Sequence, residues 1–172
     1  LTYLNENMES FIKRMELCFI ATADGKGECD SSLRSGEPNF FLVLDSKTLV
    51  YPEYRGNGVL ASLGNISENP YIGLLFLDFT KDKIGLHVNG KAEIVDNDNI
   101  QFTVSDDQQV AYEREKSRAQ RWVKISLEEA YIHCSKHIPL MQKVDQSLVW
   151  GTDDVKLKGG DYFKSKDCPQ QL

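Results

Sequence analysis

The chain has 172 residues and a formal net charge of -6, with 41% hydrophobic and 27% charged residues. These values fit one globular domain with a sizeable core and argue against a disordered or membrane-embedded chain. The acidic balance argues against nucleic acid as the main partner, because neutralising its phosphates requires a basic face. No run resembles a membrane span or a secretory signal, so we expect a cytoplasmic protein with a single domain over residues 1–172.

The first part of the chain predicts one helix followed by two β-hairpins. Asn5 is a candidate N-cap, and apolar residues recur at helical spacing between positions 8 and 15. Turn residues then join two pairs of short apolar or alternating runs, residues 17–23 with 28–34 and residues 39–45 with 48–51. Pro52 is expected to end the second hairpin.

The second part predicts two long strands, a polar insertion and a final strand. Residues 71–79 are continuously apolar, which is typical of a strand buried on both faces, whereas residues 84–95 alternate and contain an Asn-Gly pair that indicates a bulge. Residues 96–120 are polar without β alternation, and we interpret them as a helical or loop insertion that is solvated on most sides. Residues 121–134 predict a strand, and the tail from about 140 to 172 is expected to be irregular.

The predicted elements favour a mainly β protein. Six or more short strands follow one another in hairpin order, with few helices and no βαβ alternation. This order predicts an antiparallel barrel or sandwich with small helices attached.

The segment 55–66, R-G-N-G-V-L-A-S-L-G-N-I, is one candidate phosphate site. A Gly-rich turn that leads into a short helix supplies backbone N–H donors that converge on one point. Arg55 offers a bidentate contact, Gly56 allows close backbone approach, and Asn57 and Ser62 add side-chain donors. The spacing matches neither a P-loop nor a dinucleotide fingerprint. On spacing alone, an ordinary turn with a solvated arginine is the simpler interpretation.

A second candidate lies in D-S-S-L-R-S-G-E-P, residues 30–38. Ser32 and Arg34 fall on the same face of the predicted strand, and an arginine that points from a strand into a pocket suits an anionic ligand. The alternative is an edge strand with a surface charge. Lys136 is a further basic residue that is able to reach an anion.

Metal and thiol chemistry have weaker support. The pair His133 and His137 would bind a metal only if helical, and the β interpretation separates the two side chains. Asp153 and Asp154 are adjacent acids in a polar tail, where solvated carboxylates are usual. The four cysteines are too irregularly spaced for a zinc module and are interpreted as thiols, and Cys134 lacks a recognisable base partner. We therefore expect no metal site.

The order of several motifs resembles one known family. These are D-S-S-L-R-S-G-E-P-N-F-F-L-V-L-D, then T-L-V-Y-P-E-Y-R-G-N-G-V-L-A-S-L-G-N-I-S-E-N-P-Y-I-G-L-L-F, then L-H-V-N-G-K-A-E-I. They resemble the pyridoxamine 5′-phosphate oxidase-like, FMN-binding split-barrel family. The later R-W-V-K-I-S-L-E-E-A-Y-I-H-C-S-K-H-I-P and W-G-T-D-D-V-K-L-K-G-G-D-Y-F look like one branch of it, so the resemblance covers roughly residues 8–163.

This resemblance implies a six-stranded antiparallel split β-barrel with a few short peripheral α-helices. It also implies a homodimer with FMN in a groove at the subunit interface. The flavin phosphate and ribityl chain would be held by residues matching the second candidate strand and the turn from Tyr51 to Ser62. With Lys136 added, the expected cofactor-binding residues are Ser32, Arg34, Tyr51, Arg55, Gly56, Asn57, Ser62 and Lys136.

The chain departs from the family pattern at the phosphate end. Many relatives carry a second basic residue soon after the Gly-Asn pair, where this chain has Gly58 and Val59. Ser62 stands near a position that is often lysine in pyridoxamine-phosphate oxidases proper. Neutralisation of the phosphate would therefore depend more heavily on Arg34 and Arg55, which weakens the case for tight FMN binding and for that vitamin as substrate.

The resemblance implies an FMN-dependent oxidoreductase that acts on an unidentified small molecule by hydride or electron transfer through the flavin. No residue is identifiable as a catalytic acid or base. Two alternatives stay open: a non-catalytic flavin- or haem-binding split barrel, with His87, His133 or His137 as an axial ligand, and an enzyme with a different flavin-like cofactor. Trp122 and Trp150 either cover a flavin ring or serve packing.

Overall fold

The computed structural model describes residues 1–55, 60–149, 152, 154, 156–157, 161–164 and 166. Within these residues the chain forms three α-helices and seven strands. In chain order they are α1 (Glu6–Arg14), β1 (Leu17–Ala23), β2 (Cys29–Ser35), β3 (Leu42–Asp45), β4 (Thr48–Tyr54), α2 (Ala61–Glu68), β5 (Tyr71–Leu77), β6 (Gly85–Asp96), α3 (Gln109–Lys116) and β7 (Ala119–His133). Single 3₁₀ turns occupy Asn97–Asn99, Asp106–Gln108 and Ser135–His137.

All seven strands belong to one antiparallel sheet in the order β2-β1-β5-β6-β7-β4-β3. Although β1, β5, β6 and β7 lie between β2 and β4 in this order, Arg34 of β2 contacts Glu53 of β4 at 2.7 Å. The sheet must therefore curl until β2 faces β4, without the strand pairing that would close it. This rolled, open sheet confirms the predicted mainly β split-barrel fold, with a seventh strand supplied by the short β3.

Several local predictions are confirmed. Asn5 caps α1, because its Oδ1 atom accepts a hydrogen bond from the Met8 N–H at 3.0 Å. Both hairpins form, as β1 with β2 and as β3 with β4. The register of β6 against β7 shifts between Asn89 and Gly90, where the Asn-Gly pair predicted a bulge. The described cysteines, Cys18, Cys29 and Cys134, are free thiols.

The pairing of the second hairpin stops before Pro52, but the strand does not end there as predicted. β4 continues to Tyr54, and Pro52 pairs with Trp122 of β7. The pairing of β3 with β4 reaches only to Val50, so β4 has one open side at the proline. Proline has no backbone N–H to donate. A strand tolerates it on a side where no neighbouring strand requires that hydrogen bond.

The expectation of a β5 strand buried on both faces is also wrong. Ile72, Leu74 and Phe76 are buried, but the alternate residues are partly accessible, and Tyr71 is 56% exposed. The continuous apolar run reflects a half-covered outer face rather than a second layer of structure.

The segment 96–120 is helical and irregular, as predicted, but it is less solvated than expected. Ile100, Ala111 and Tyr112 are buried with Trp122 in a second hydrophobic cluster on the outside of β7 and β4. The main core, which includes Phe41, lies inside the rolled sheet. The few apolar residues of segment 96–120 are thus sufficient to cover the outer face of β7 and β4 around Trp122.

Gln108, at the end of the 3₁₀ turn Asp106–Gln108, protects the edge of the sheet. Its side chain is fully buried, its Oε1 atom accepts from the Val43 N–H at 2.9 Å, and its Nε2 atom donates to the Val43 carbonyl at 2.9 Å. The amide therefore satisfies both backbone groups of an edge-strand residue in β3, as a neighbouring strand would. The described part of residues 138–149 has no regular structure, in agreement with the predicted irregular tail.

We predict that Gln108→Ala lowers the free energy of unfolding by about 2–6 kcal/mol, because two buried backbone groups lose their partners at about 1–3 kcal/mol each. Urea unfolding followed by circular dichroism measures this change. Gln109→Ala is the matched control, since Gln109 is exposed and bonds only Glu113 within the described residues. Equal stability of the two variants would contradict the protective role of Gln108.

The bulge between β6 and β7 gives a second prediction. A Cβ atom added at Gly90 would overlap the backbone carbonyl oxygen of Ser126, whereas one added at Gly64 in α2 would meet nothing within 4 Å. Gly90→Ala should cost at least about 1–3 kcal/mol through forced backbone movement. Gly64→Ala should be neutral or stabilising by about 0.5–1 kcal/mol, because helical glycine is entropically unfavourable. Thermal unfolding of both variants tests the pair, and a harmless Gly90→Ala would refute the close approach.

Candidate functional site

A cavity of about 860 Å³ opens where β2, β4 and the start of α2 meet. The polar part of its wall includes Ser32, Arg34, Glu53, Arg55 and Ser62. Apolar side chains contribute the remainder, chiefly Phe40, Leu60, Leu63, Leu148 and Val149. The cavity therefore combines a charged wall with an apolar one.

The two candidate anion segments of the sequence meet in this cavity. Ser32 and Arg34 come from β2, whereas Arg55 and Ser62 come from the end of β4 and the start of α2. The curl of the sheet brings them to one wall. Gly56 and Asn57 lie outside the described residues, as do Gly58 and Val59.

Two other predicted contacts occupy different places. Tyr51 lies on β4 but is fully buried in the main core, where its ring is 5.0 Å from that of Phe41. Lys136 lies in the 3₁₀ turn after β7, at the end of that strand opposite to the residues that pair with β4. Neither side chain lines the cavity. Their roles as ligand contacts stay predictions.

Arg34 and Glu53 form an ion pair within the cavity wall. The Arg34 Nε and Nη2 atoms both donate to Glu53 Oε1, at 2.9 and 2.7 Å, and Nη1 donates to the Leu33 carbonyl at 3.1 Å. The side chains are 19% and 8% exposed. Burial raises the pKa of the Glu53 carboxyl above its ordinary value, although the adjacent Arg34 guanidinium acts in the opposite direction.

Sequence reasoning missed Glu53. The signal was the period of β4, because a residue midway between Tyr51 and Arg55 at spacing two shares their face of the strand. The stretch Y-P-E-Y-R could thus have predicted that Glu53 lies beside the expected phosphate contacts.

The start of α2 contributes to the cavity wall through Ala61, Ser62 and Leu63. Its N-cap residue is Leu60, and no side chain of the described residues caps the helix. A helix N-terminus without a side-chain cap leaves backbone N–H donors for water or a ligand, and its dipole favours negative charge. The short helix predicted at the end of segment 55–66 is therefore confirmed, with bounds shifted to Ala61–Glu68.

Tyr54 is a second wall residue that sequence reasoning missed. Its hydroxyl donates a short hydrogen bond to Glu115 of α3, a fully buried carboxylate that also accepts from Arg114 Nε at 2.7 Å. Burial, followed by the hydrogen bond to Glu115, raises the pKa of the Tyr54 hydroxyl far above its ordinary range. Tyr54 therefore stays a neutral phenol, and α3 fixes its position.

The irregular tail also reaches the cavity. Gln146, Ser147, Leu148 and Val149 line it, together with Thr152 and Leu157. Leu148 and Val149 are 50% and 58% exposed, so they present apolar surface to the cavity without belonging to the core. The tail sequence has no periodic pattern, so the sequence did not predict that these residues line the cavity.

The three histidines and Trp122, which were weighed as ligand contacts, do not line the cavity. His87 Nε2 and His133 Nδ1 are 2.9 Å apart on β6 and β7, and neither residue lines the cavity. In the described part of the chain, no three His, Cys, Asp or Glu side chains cluster as metal ligands would. Trp122 is fully buried in the second cluster, where it serves packing, and Trp150 and Asp153 lie outside the described residues. The described helices include none long and apolar enough to cross a membrane.

Comparison with known proteins identifies the family. The model of the pyridoxamine 5′-phosphate oxidase family matches residues 4–134, more than half of the chain. HupZ from Group A Streptococcus has a similar structure, with 20% sequence identity and a TM-score of 0.55 over 75% of this chain and 93% of its own. An F420 reductase gives 16% identity and a TM-score of 0.49 over 74% of this chain and 98% of its own.

HutZ, the haem storage protein from Vibrio cholerae, gives 16% identity and a TM-score of 0.48 over 75% of this chain and 94% of its own. No curated protein sequence matches the chain. The likeness to HupZ shows a shared fold. Together with the match over residues 4–134, it shows that this chain belongs to the pyridoxamine 5′-phosphate oxidase-like split-barrel family.

Proposed function

We propose that this protein is an FMN-binding flavoprotein that acts as an oxidoreductase on a small molecule. The observation that carries the proposal is the convergence of Arg34, Arg55 and Ser62 on one cavity beside the start of α2, which no described side chain caps. A phosphate bound there would meet two guanidinium groups, a hydroxyl and the positive end of a helix dipole.

The residues present fit the remainder of FMN as well. A volume of about 860 Å³ lies within the range of about 300–1,000 Å³ that is usual for small-molecule sites. Ser32 offers a hydroxyl suited to the ribityl chain, and Leu60, Leu148 and Val149 offer apolar surface suited to a flavin ring. The cavity thus offers polar groups for the phosphate and ribityl chain of FMN and an apolar surface for its ring.

Bound FMN would supply hydride or electron exchange with a substrate, chemistry that the side chains alone do not provide. The chain's own residues would bind and orient the cofactor. Tyr54 would present a neutral hydroxyl, because the pKa of its phenol is raised far above the ordinary range. We assign no residue as a catalytic acid or base.

The haem alternative finds less support in this cavity. A haem iron in this protein would require an axial ligand such as histidine, cysteine, methionine or tyrosine. Of these types, Tyr54 alone lines the cavity among the described residues, and its hydroxyl donates a hydrogen bond to Glu115. A different flavin-like cofactor is a closer competitor, since it would use the same phosphate contacts, and the test below separates the two.

We further propose a homodimer that covers the cavity. Leu33, beside Arg34 on the cavity wall, is 53% exposed, and Phe19 on the neighbouring strand is 38% exposed. A second copy would remove this apolar surface from water. Light scattering coupled to gel filtration tests the proposal: a monomer of unchanged mass in the presence of FMN would refute it.

The cofactor is tested on the purified protein by absorbance and by chromatography of the molecule that heating releases. The proposal predicts a flavin spectrum, either as purified or after reconstitution, and FMN as the released species. A Soret band would contradict it in favour of haem, and a released deazaflavin would contradict it in favour of another cofactor. Failure to take up any added flavin would defeat the flavoprotein proposal.

We predict that Arg55→Ala weakens FMN binding by about 1.5–3 kcal/mol, the usual value of a hydrogen bond to a charged group. Riboflavin binding should change little, because riboflavin lacks the phosphate. Fluorescence titration of both ligands measures the difference. Lys124→Ala is the control for a lost surface charge, since Lys124 is paired with Glu93 at 3.1 Å outside the cavity. Equal weakening of FMN and riboflavin would remove Arg55 from the phosphate site.

A further inference from the structure

Arg34 carries its own counterion inside the cavity. Its Nε and Nη2 atoms bond the same oxygen of Glu53, Oε1, at 2.9 and 2.7 Å, and both residues line the cavity. Oε2 makes no hydrogen bond with the described residues. The local charge is therefore balanced before any ligand arrives.

A phosphate that shares Arg34 would also face the Glu53 carboxylate. The two anions would compete for one guanidinium in a wall where burial weakens solvent screening. Glu53 is held on a paired strand next to Tyr51, so it has little freedom to leave the cavity wall. Neutralising the carboxylate is the simplest way to remove the repulsion.

The groups that face Glu53 permit this change. On β4 and β1, Tyr51 and Cys18 are fully buried, and burial raises the pKa of both, so both stay neutral. Arg121, opposite Glu53 on β7, is ion-paired with Asp96. Arg34 is thus the main charge that holds Glu53 ionised, while burial of the carboxyl favours its protonated form.

The Tyr51 hydroxyl adds an independent observation. It is buried without a hydrogen bond of acceptable geometry to any described residue, although the nearby Glu53 carboxyl helps burial to raise its pKa. A buried hydroxyl without a partner is unusual in a folded protein. The hydrogen bonding around Glu53 is therefore incomplete, and a change in the carboxyl or its surroundings would be needed to complete it.

We propose that Glu53 is a specificity-determining residue, which makes the binding of a phosphate at Arg34 conditional on the uptake of one proton by its carboxyl group. The proposal rests on the proposed FMN site and deepens it. Arg34 stays protonated throughout. The Glu53 carboxylate gains a proton and becomes neutral. The Arg34 guanidinium then forms its ion pair with the phosphate instead. No covalent bond changes.

The consequence for selectivity follows from linkage. Where phosphate binding requires a protonated Glu53, the affinity falls as pH rises through the pKa of Glu53, by up to about tenfold per pH unit. A ligand without a phosphate, such as riboflavin, does not incur this penalty. The two arginines by themselves would favour a dianion, and the ionised Glu53 carboxylate makes the cavity bind dianions more weakly than the arginines suggest.

The test is isothermal titration of FMN into wild-type protein and Glu53→Gln between about pH 5.5 and 8.5, the range in which a carboxyl with a raised pKa titrates. Each titration is repeated in two buffers of different ionisation enthalpy, which gives the number of protons taken up. The phosphate of FMN titrates in this range too, and its titration is coupled to that of the neighbouring Glu53 carboxyl. The difference between the two proteins therefore reports Glu53 together with its effect on the phosphate, and a dianion that does not titrate separates the two.

We expect wild type to take up more protons than Glu53→Gln, and the variant to bind FMN at least about tenfold more tightly at the alkaline end of the range, where its advantage is largest. Glu53→Asp, which keeps the charge, should retain part of the wild-type dependence. Riboflavin should bind wild type and Glu53→Gln alike. Identical proton uptake and pH profiles for FMN in wild type and Glu53→Gln would overturn the proposal.

Inorganic sulfate gives a measurement that needs no flavin. Sulfate is a dianion without a titration step in this pH range, so any proton taken up on its binding is taken up by the protein. Uptake by wild type that Glu53→Gln lacks supports the role of Glu53, even if FMN does not bind and the proposed function fails. Sulfate binding without proton uptake, or no sulfate binding at any pH, overturns the role of Glu53 by itself.

Discussion

The ion pair between Arg34 and Glu53 joins β2 to β4 across the open side of the sheet. Four strands separate these two in the sheet order, and no backbone ladder connects them. The pair, at 2.7 Å and mostly buried, is therefore a direct link at the point where a closed barrel would have continued strand pairing. Removing one partner of such a pair is costly, because the other is left as an uncompensated buried charge.

The chemistry of the cavity follows from the same pair. The chain places a carboxylate against Arg34, one of the two arginines of the cavity wall. Arg55 and the start of α2 supply further donors for a phosphate. The tail supplies the apolar wall through Leu148 and Val149, beyond the residues that the family model matches. Selectivity for a substrate would depend on parts of the chain outside the common fold.

Much of the fold followed from local patterns. The N-cap at Asn5, the two hairpins and the bulge at Gly90 each depend on residues close together in the chain, where spacing and turn chemistry decide the conformation. The continuation of β4 through Pro52 depends instead on where β3 stops pairing, which no local pattern reveals. The covering of Trp122 by segment 96–120 likewise depends on a face exposed by distant strands.

The candidate site shows the same division. Each of the two anion segments was recognisable by itself, but on spacing alone each had an ordinary structural explanation, and only the curl of the sheet unites Arg34 with Arg55. Glu53 was missed because its period-two spacing between Tyr51 and Arg55 places it on their face of the strand but does not reveal that its partner is Arg34. The contact between Tyr54 and Glu115, and the return of the tail to the cavity, join residues far apart in sequence, which pattern reasoning does not reach.

A crystal structure of the protein grown with FMN tests the central claim most directly. The account predicts the phosphate within hydrogen-bonding distance of the Arg55 guanidinium and of the backbone N–H groups at the start of α2. It also predicts the flavin ring against Leu60 and the tail residues. A flavin whose phosphate lies outside this cavity, or a cavity left empty at saturating FMN, would contradict the account.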